Sequence, residues 1–144
     1  MLLSRFMDLS NIKVVATDID DGAVAKAKIG LYAPKSLEGL PAEFVNKFFD
    51  KEGDYYKIKD IIKKCVEFKK HNLLKDKYVD NCDLIVFRNV MIYFTKEAKA
   101  EIYQKFRDSL TGQGVLFVGS TEQIIMPQRY KLEPMKTFFY KRTE

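Results

Sequence analysis

Apolar positions along this chain fall into two spacings. Three short runs, "KVVATDID" (residues 13–20), "CDLIVFRN" (82–89) and "VLFVGS" (115–120), are β-branched and apolar at consecutive positions. Continuous runs of that length predict strands buried on both faces. Elsewhere the spacing is helical. "DDGAVAKAKIG" sets Ala23, Val24 and Ala27 on one stripe and places Gly30 where a helix would stop. Thr95 is suited to cap a helix on which Ala98, Ile102, Phe106 and Leu110 recur every fourth residue, with Gly112 and Gly114 expected to end it. The tail "YKLEPMKTFFYKRT" predicts two strands at an antiparallel edge.

Apolar strands alternating with amphipathic helices predict an α/β fold with a doubly wound, mostly parallel sheet. Between residues 32 and 67 the alternation breaks. Pro41 opens a helix carrying Phe44, Val45, Phe48 and Phe49, Gly53 is expected to end it, "YYKI" has strand character, and Ile58, Ile61, Ile62 and Cys65 have helical spacing. This stretch is expected to be a small subdomain inserted into one domain spanning 1–144. No internal repeat or low-complexity linker marks a second domain.

Composition narrows the class. A chain of 144 residues, 47% hydrophobic, supplies one ordinary core. No apolar run approaches the roughly 18 residues of a membrane span, and "MLLSRFMDLS" is too short and too interrupted by Arg5 and Asp8 for a signal peptide. A cytoplasmic protein without membrane insertion is expected. Cys65 and Cys82 have neither metal-ligand spacing nor disulfide density and are expected to be reduced packing residues; no metal site is expected. The net charge of +5 is concentrated between Lys57 and Lys77, where eight lysines face only Asp60, Glu67 and Asp76. Such a patch suits a solvated face or an acidic protein surface. Arginines are few and no nucleic-acid motif accompanies the lysines, so no nucleic-acid partner is expected.

Ligands of open parallel sheets bind beyond the carboxyl ends of the strands. Asp18 and Asp20 end the first run, His71 and Asn72 follow "VEFKK", and Arg88 and Asn89 end the second run. A carboxylate at such a strand end can accept both hydrogen bonds of a ribose diol, which gives Asp18 one reading; the other is that Asp18 merely ends a strand while Asp20 caps the helix. The Asn72 amide offers donor and acceptor to an adenine edge, or simply forms a turn. His71 has no ligand partner at metal spacing and carries no catalytic assignment. In "FRNVMIYF", Arg88 and Asn89 are expected to face a cleft, Val90, Met91, Ile92 and Phe94 to pack beneath, and Tyr93 to turn its hydroxyl to the same opening. A buried arginine needs a partner, either a structural carboxylate or a carboxylate substrate.

Taken in order, "ATDID", "GLYAPKSLEGLP", "VEFKKHNLL", "FRNVMIYF", "GVLFVGSTE" and "FFYKR" resemble the CheR-type chemotaxis receptor methyltransferases over nearly the whole chain. The resemblance implies methyl transfer from S-adenosylmethionine, leaving S-adenosylhomocysteine, to glutamate side chains on the cytoplasmic helices of chemoreceptors. It implies that Asp18, with Ile19 beside it, binds the cofactor ribose, that Asn72 and Leu73 border the adenine, and that Arg88 and Asn89 line the cleft near Tyr93. Arg88 and Tyr93 are then the catalytic pair, orienting a glutamate that needs no strong base because it is already ionised at neutral pH.

The family's helical N-terminal domain and glycine-rich cofactor loop would fall before Met1, and "MLLSRFMDLS" resembles the later part of the helix that follows the loop. Without that loop's strand, the sheet is expected to lack its centre, between "VVATD" and "LIVF". The two apolar edges would call for a partner chain's strand, for self-association, or for closure of the two halves in an altered sheet. Two rival readings remain at this level. The chain could serve as a non-catalytic methyltransferase-like binding module. "TDIDDG" also resembles the Asp-x-Asp loop of haloacid dehalogenase-type phosphatases, but the acidic pair that family needs after a later strand is missing from residues 122–144.

Overall fold

The computed structural model describes residues 1–120 and 122–143. Thr121, which the "GVLFVGSTE" segment contains, lies outside the described residues. The chain is mixed α/β and forms two compact units, Met1–Asn72 and Leu73–Glu144.

In the first unit, β1 (Val14–Asp18) leads into α1 (Asp21–Ile29), followed by β2 (Leu31–Tyr32), α2 (Ala42–Phe48), β3 (Phe49–Glu52), β4 (Tyr55–Ile58), α3 (Asp60–Lys63) and β5 (Val66–Lys70). Strands β1 and β5 pair in parallel, Val14 opposite Val66 and Asp18 opposite Lys70. The segment between them folds its own antiparallel sheet in the order β2-β4-β3. Its core is Phe44, Phe48, Phe49 and Ile62, with Tyr32, Leu37, Leu40 and Ile58 packed around them.

Three expectations for this unit change. Gly53 does not end a helix; it turns β3 into β4 with φ 58°, and Phe49 opens a strand because its ring is needed on the sheet side of the cluster. The isoleucine stripe yields a single helical turn, α3, before Cys65 enters β5. "MLLSRFMDLS" is not a helix: it forms two short 3-10 turns, Leu2–Arg5 and Leu9–Asn11. Leu2, Leu3, Phe6 and Met7 are exposed, Met1 and Leu9 pack on the aromatic cluster, and the Arg5 guanidinium lies 4.7 Å over the Phe44 ring. So few buried positions cannot offset the cost of nucleating a helix.

The second unit runs from β6 (Cys82–Val86) through α4 (Lys96–Ser109) to β7 (Leu110–Phe117), β8 (Leu132–Lys136) and β9 (Phe139–Arg142), in the sheet order β6-β7-β9-β8. Strands β6 and β7 are parallel and the last two are antiparallel, the arrangement expected of the tail. Thr95 caps α4 as expected, its Oγ1 accepting from Ala98 N at 3.2 Å. Ile102, Phe106 and Leu110 are buried with Phe87, Met91, Leu116, Val118, Leu132 and Tyr140. Gly112 and Gly114 lie inside β7 rather than ending the helix. A Cβ at Gly114 would sit 2.7 Å from Cys82 O, so the glycine is needed for the strands to approach where their register shifts.

Strands β1 and β6 belong to different sheets. Among the described strands, β1 pairs only with β5 and β6 only with β7, so each keeps one open edge. Val14 and Val15 on β1, and Leu84 and Val86 on β6, are exposed, with Val86 at 60%. These runs are expected to be buried on both faces, and their exposure departs from that expectation.

Candidate functional site

Residues Asp18 to Asp21 place three carboxylates at the carboxyl end of β1, and each is used differently. Asp18 Oδ1 accepts from Asp20 N at 2.9 Å, which closes the turn out of the strand. Asp20 Oδ1 accepts from Gly22 N at 2.9 Å and caps α1, whose other end is closed by Gly30 in the left-handed region. Asp21 pairs with Lys70 at 2.6 Å, tying the start of α1 to the end of β5. Asp20 is therefore the capping residue, while Asp18 is exposed and its Oδ2 has no protein partner among the described residues. Ile19 is exposed on the same turn.

The parallel pairing carries His71 and Asn72 to this end. His71 N donates to Asp18 O at 2.8 Å, one residue past the register partner Lys70. His71 is buried, and Asn72 is half-buried beside it in sequence. Asp18, Ile19 and Asn72 thus share the end of one strand pair, as residues for one ligand edge must.

In the second unit, β6 and β7 end side by side, with Val86 opposite Phe117 and Phe87 N donating to Phe117 O at 2.8 Å. Phe87 is buried and stacks edge-on against Phe106, so the next two residues leave the sheet at its carboxyl end. Asn89 turns there with φ 60°, a conformation that asparagine tolerates better than most residues. Arg88 is exposed rather than buried, and among the described residues it has neither an ion pair nor a hydrogen bond. Among the described residues no structural carboxylate holds the guanidinium. Met91 is buried and Val90 and Phe94 half-buried beneath it, whereas Ile92 is exposed, because the 3-10 turn Met91–Tyr93 points one side chain in three inward. Tyr93 is 79% exposed. Leu73 packs on the Phe106 cluster, and its carbonyl accepts from Tyr78 Oη at 2.9 Å.

The groups with perturbed ionisation lie away from these positions. Burial pushes the Tyr103 hydroxyl up to about 12, with Glu122 and the neighbouring tyrosines adding to it. Tyr78 is raised further, by burial first and then by Glu101. Neither is a candidate proton carrier at neutral pH.

Parallel strand pairs with acidic, amide and basic groups at their carboxyl ends are the places where open α/β sheets take ligands. A TehB-like S-adenosylmethionine-dependent methyltransferase from Corynebacterium glutamicum superposes over 92% of this chain and 68% of its own, with a TM-score of 0.54 at 13% identity. At that identity the likeness shows the fold. Residues 1–139 match the family "CheR methyltransferase, SAM binding domain", and the chain belongs to it. It is 40% identical over 143 residues to a chemotaxis protein methyltransferase of Listeria innocua, covering 99% of this chain and 55% of that protein. It is 33% identical over 146 residues to one from Borreliella burgdorferi, covering 91% of this chain and 52% of that protein. The chain spans about half the length of these curated relatives.

S-adenosylmethionine is the cofactor of this domain family, and the residues present suit part of it. Asp18, with one oxygen fixed in the turn and the other free, matches a diol acceptor. Asn72, two residues past β5, carries an amide with both a donor and an acceptor. No glycine-rich stretch of the kind that cradles a charged ligand group occurs in the 144 residues. One feature that the sequence reading passed over is Gly119, which lies against Arg88; its signal was a glycine placed immediately after an apolar strand.

Proposed function

We propose that this chain carries the catalytic region of a glutamate O-methyltransferase of chemotaxis, acting in the cytoplasm on glutamate side chains of chemoreceptor cytoplasmic helices. The observation that supports it most is Arg88: an exposed guanidinium at the carboxyl end of a parallel strand pair, without a carboxylate partner among the described residues, five positions before exposed Tyr93. A cation left unpaired by the fold suits an anionic substrate.

When bound, S-adenosylmethionine supplies a methyl group on a cationic sulfonium centre. Asp18 would hold the ribose diol with the oxygen its turn leaves free, Ile19 would cover the ring, and Asn72 and Leu73 would border the adenine. Asn89 would line the cleft beside Arg88. Arg88 would fix the incoming glutamate carboxylate and Tyr93 would orient it through its hydroxyl; neither moves a proton, since the carboxylate is already ionised. Alignment is the main contribution such residues make, and effective molarities from it are large. Domain extent follows the same reading: 1–144 is one partial catalytic domain with the 32–67 insertion as a subdomain.

The lysine-rich segment from Lys57 to Lys77 bears on partner choice. Lys57, Lys59 and Lys70 pair with Glu52, Asp50 and Asp21, and Lys63 Nζ reaches Ile29 O, which leaves Lys64 and Lys69 without acidic partners among the described residues. A basic surface of this kind would speed encounter with an acidic receptor helix. The open edges of β1 and β6 bear on assembly: an apolar strand from a partner chain, or self-association, would cover them.

The test is calorimetry with S-adenosylhomocysteine followed by transfer of labelled methyl to a receptor cytoplasmic fragment as a base-labile ester. Binding and ester formation, both lowered by Arg88→Ala, are expected. Binding without any ester formation, in protein that also contains the N-terminal region of the relatives, would favour a non-catalytic binding module.

A further inference from the structure

We infer that Gly119 is a positioning residue for Arg88: its bare Cα is the bed on which the arginine stem lies, so the guanidinium is aimed by backbone packing instead of by an ion pair. The inference rests on the proposed role of Arg88 and adds the device that holds it.

Parallel β6 and β7 end at Val86 and Phe117, which are register partners, so the residues that follow, Arg88 and Gly119, emerge next to each other. Gly119 is buried, with φ 86°. A Cβ placed there would lie 2.8 Å from Arg88 Cγ, 3.2 Å from Nε and 3.4 Å from Cβ. Three atoms of one side chain therefore lie over the same α-carbon. The first distance is shorter than Cβ atoms essentially ever show, so with a methyl group at 119 the arginine stem must shift. Val118, just before Gly119, is buried and its N donates to Phe138 O at 3.1 Å, which fixes the bed from below. The next residue, Asn89, turns the chain away with φ 60°.

The arrangement solves a chemical difficulty. An arginine that must receive a substrate carboxylate cannot be held by a carboxylate of its own, because the resident anion would compete with the substrate. An unheld arginine on a surface loses its direction to rotamer freedom. Packing the methylenes on a glycine restrains the stem and keeps all five N–H donors available.

The test separates this from a glycine present only for its positive φ. In the unmodified chain, the ¹⁵Nε–¹Hε order parameter of Arg88 is expected above roughly 0.6, the boundary below which a group counts as flexible. In Gly119→Ala it is expected to fall below that value. A flexible Arg88 in the unmodified chain overturns the inference, and this arm stands even if Gly119→Ala does not fold. An order parameter unchanged by Gly119→Ala overturns it too and returns Gly119 to backbone strain alone, which would lower Tm without touching the arginine. In protein that binds S-adenosylhomocysteine and methylates a receptor fragment, Gly119→Ala is expected to lower methyl transfer on the order of tenfold. In an Arg88→Ala background it should lower it no further. Equal losses in both backgrounds defeat the positioning role, whereas an Arg88→Ala variant with full activity defeats the functional reading on which it rests.

Discussion

Asp18 and Asp20 stand two residues apart at the end of β1, and replacing each in turn separates a ligand contact from a structural one. Asp18 has one oxygen in the turn, at 2.9 Å from Asp20 N, and one without a protein partner. Hydrogen bonds to a charged group contribute about 1.5–3 kcal/mol, so Asp18→Ala should weaken S-adenosylhomocysteine binding by about 10- to 150-fold. Asp18→Asn keeps an acceptor for the turn but loses the charge, and neutral hydrogen bonds contribute about 0.5–1.5 kcal/mol; a weakening on the order of tenfold, with Tm close to the parent, is expected. Asp20→Ala does the reverse. It removes the cap from Gly22 N in a helix with no buried residue and should destabilise by about 1 kcal/mol, leaving cofactor affinity nearly unchanged. Calorimetry and thermal melts on the three variants, made in protein that binds the ligand, form the assay. If Asp18→Ala binds as tightly as the parent, or if Asp20→Ala loses as much affinity as Asp18→Ala, the assignment of Asp18 to the ribose is refuted.

Tyr93→Phe is expected to lower methyl transfer more than it weakens cofactor binding; matched losses would make Tyr93 a packing or cofactor residue. Changing Lys63, Lys64 and Lys69 to Gln should slow association with an acidic receptor fragment and flatten its salt dependence, and stopped-flow rates at two ionic strengths would reveal an unaltered dependence. The open edges of β1 and β6 predict a dimer or larger species in light scattering, whereas a monomer at high concentration counts against the need for an added strand. Tyr103, raised to about 12 chiefly by burial, binds its proton more tightly folded than unfolded. Its contribution is complete below the ordinary tyrosine value near 10 and is lost as pH rises through about 12. Alkaline melts should show that loss diminished in Tyr103→Phe.

The sequence pattern predicted those elements whose signal is local. "VVATD", "CDLIV" and the capped stripe from Thr95 to Leu110 carry their own periodicity, and each sits within a residue or two of its expected place. The glycines were harder because their meaning depends on what approaches them. Gly112 and Gly114 look like a helix stop until Cys82 O is brought against the strand, and Gly53 looks like one until Phe49 is drawn into the aromatic cluster. The same limit applied to Arg88. Its place at a strand end was readable, but whether it was buried and what it touched depended on β7, some thirty residues later. Conversely, Asp20 was identifiable as a cap because its partner, Gly22, is two residues away.

The segment from β2 to β4 begins and ends at one spot: Ile58 N donates to Gly30 O at 2.9 Å, and Leu31 and Lys57 are register partners. A side chain at Gly30 would meet Ile58 Cγ2 at 2.5 Å, so this junction is tight. It works as a clasp. Whatever is threaded between its two sides, the parallel strands that carry Asp18 and Asn72 experience the same pair of anchor points. Evolution can therefore rewrite the enclosed segment, Lys35, Lys47, Lys51 and Lys57 included, without retuning the end of β1, whereas Lys63, Lys64 and Lys69 lie beyond the clasp. The enclosed segment is in that sense separately heritable in this chain, and one grafted from a relative at Gly30 and Ile58 should leave the end of β1 as it found it.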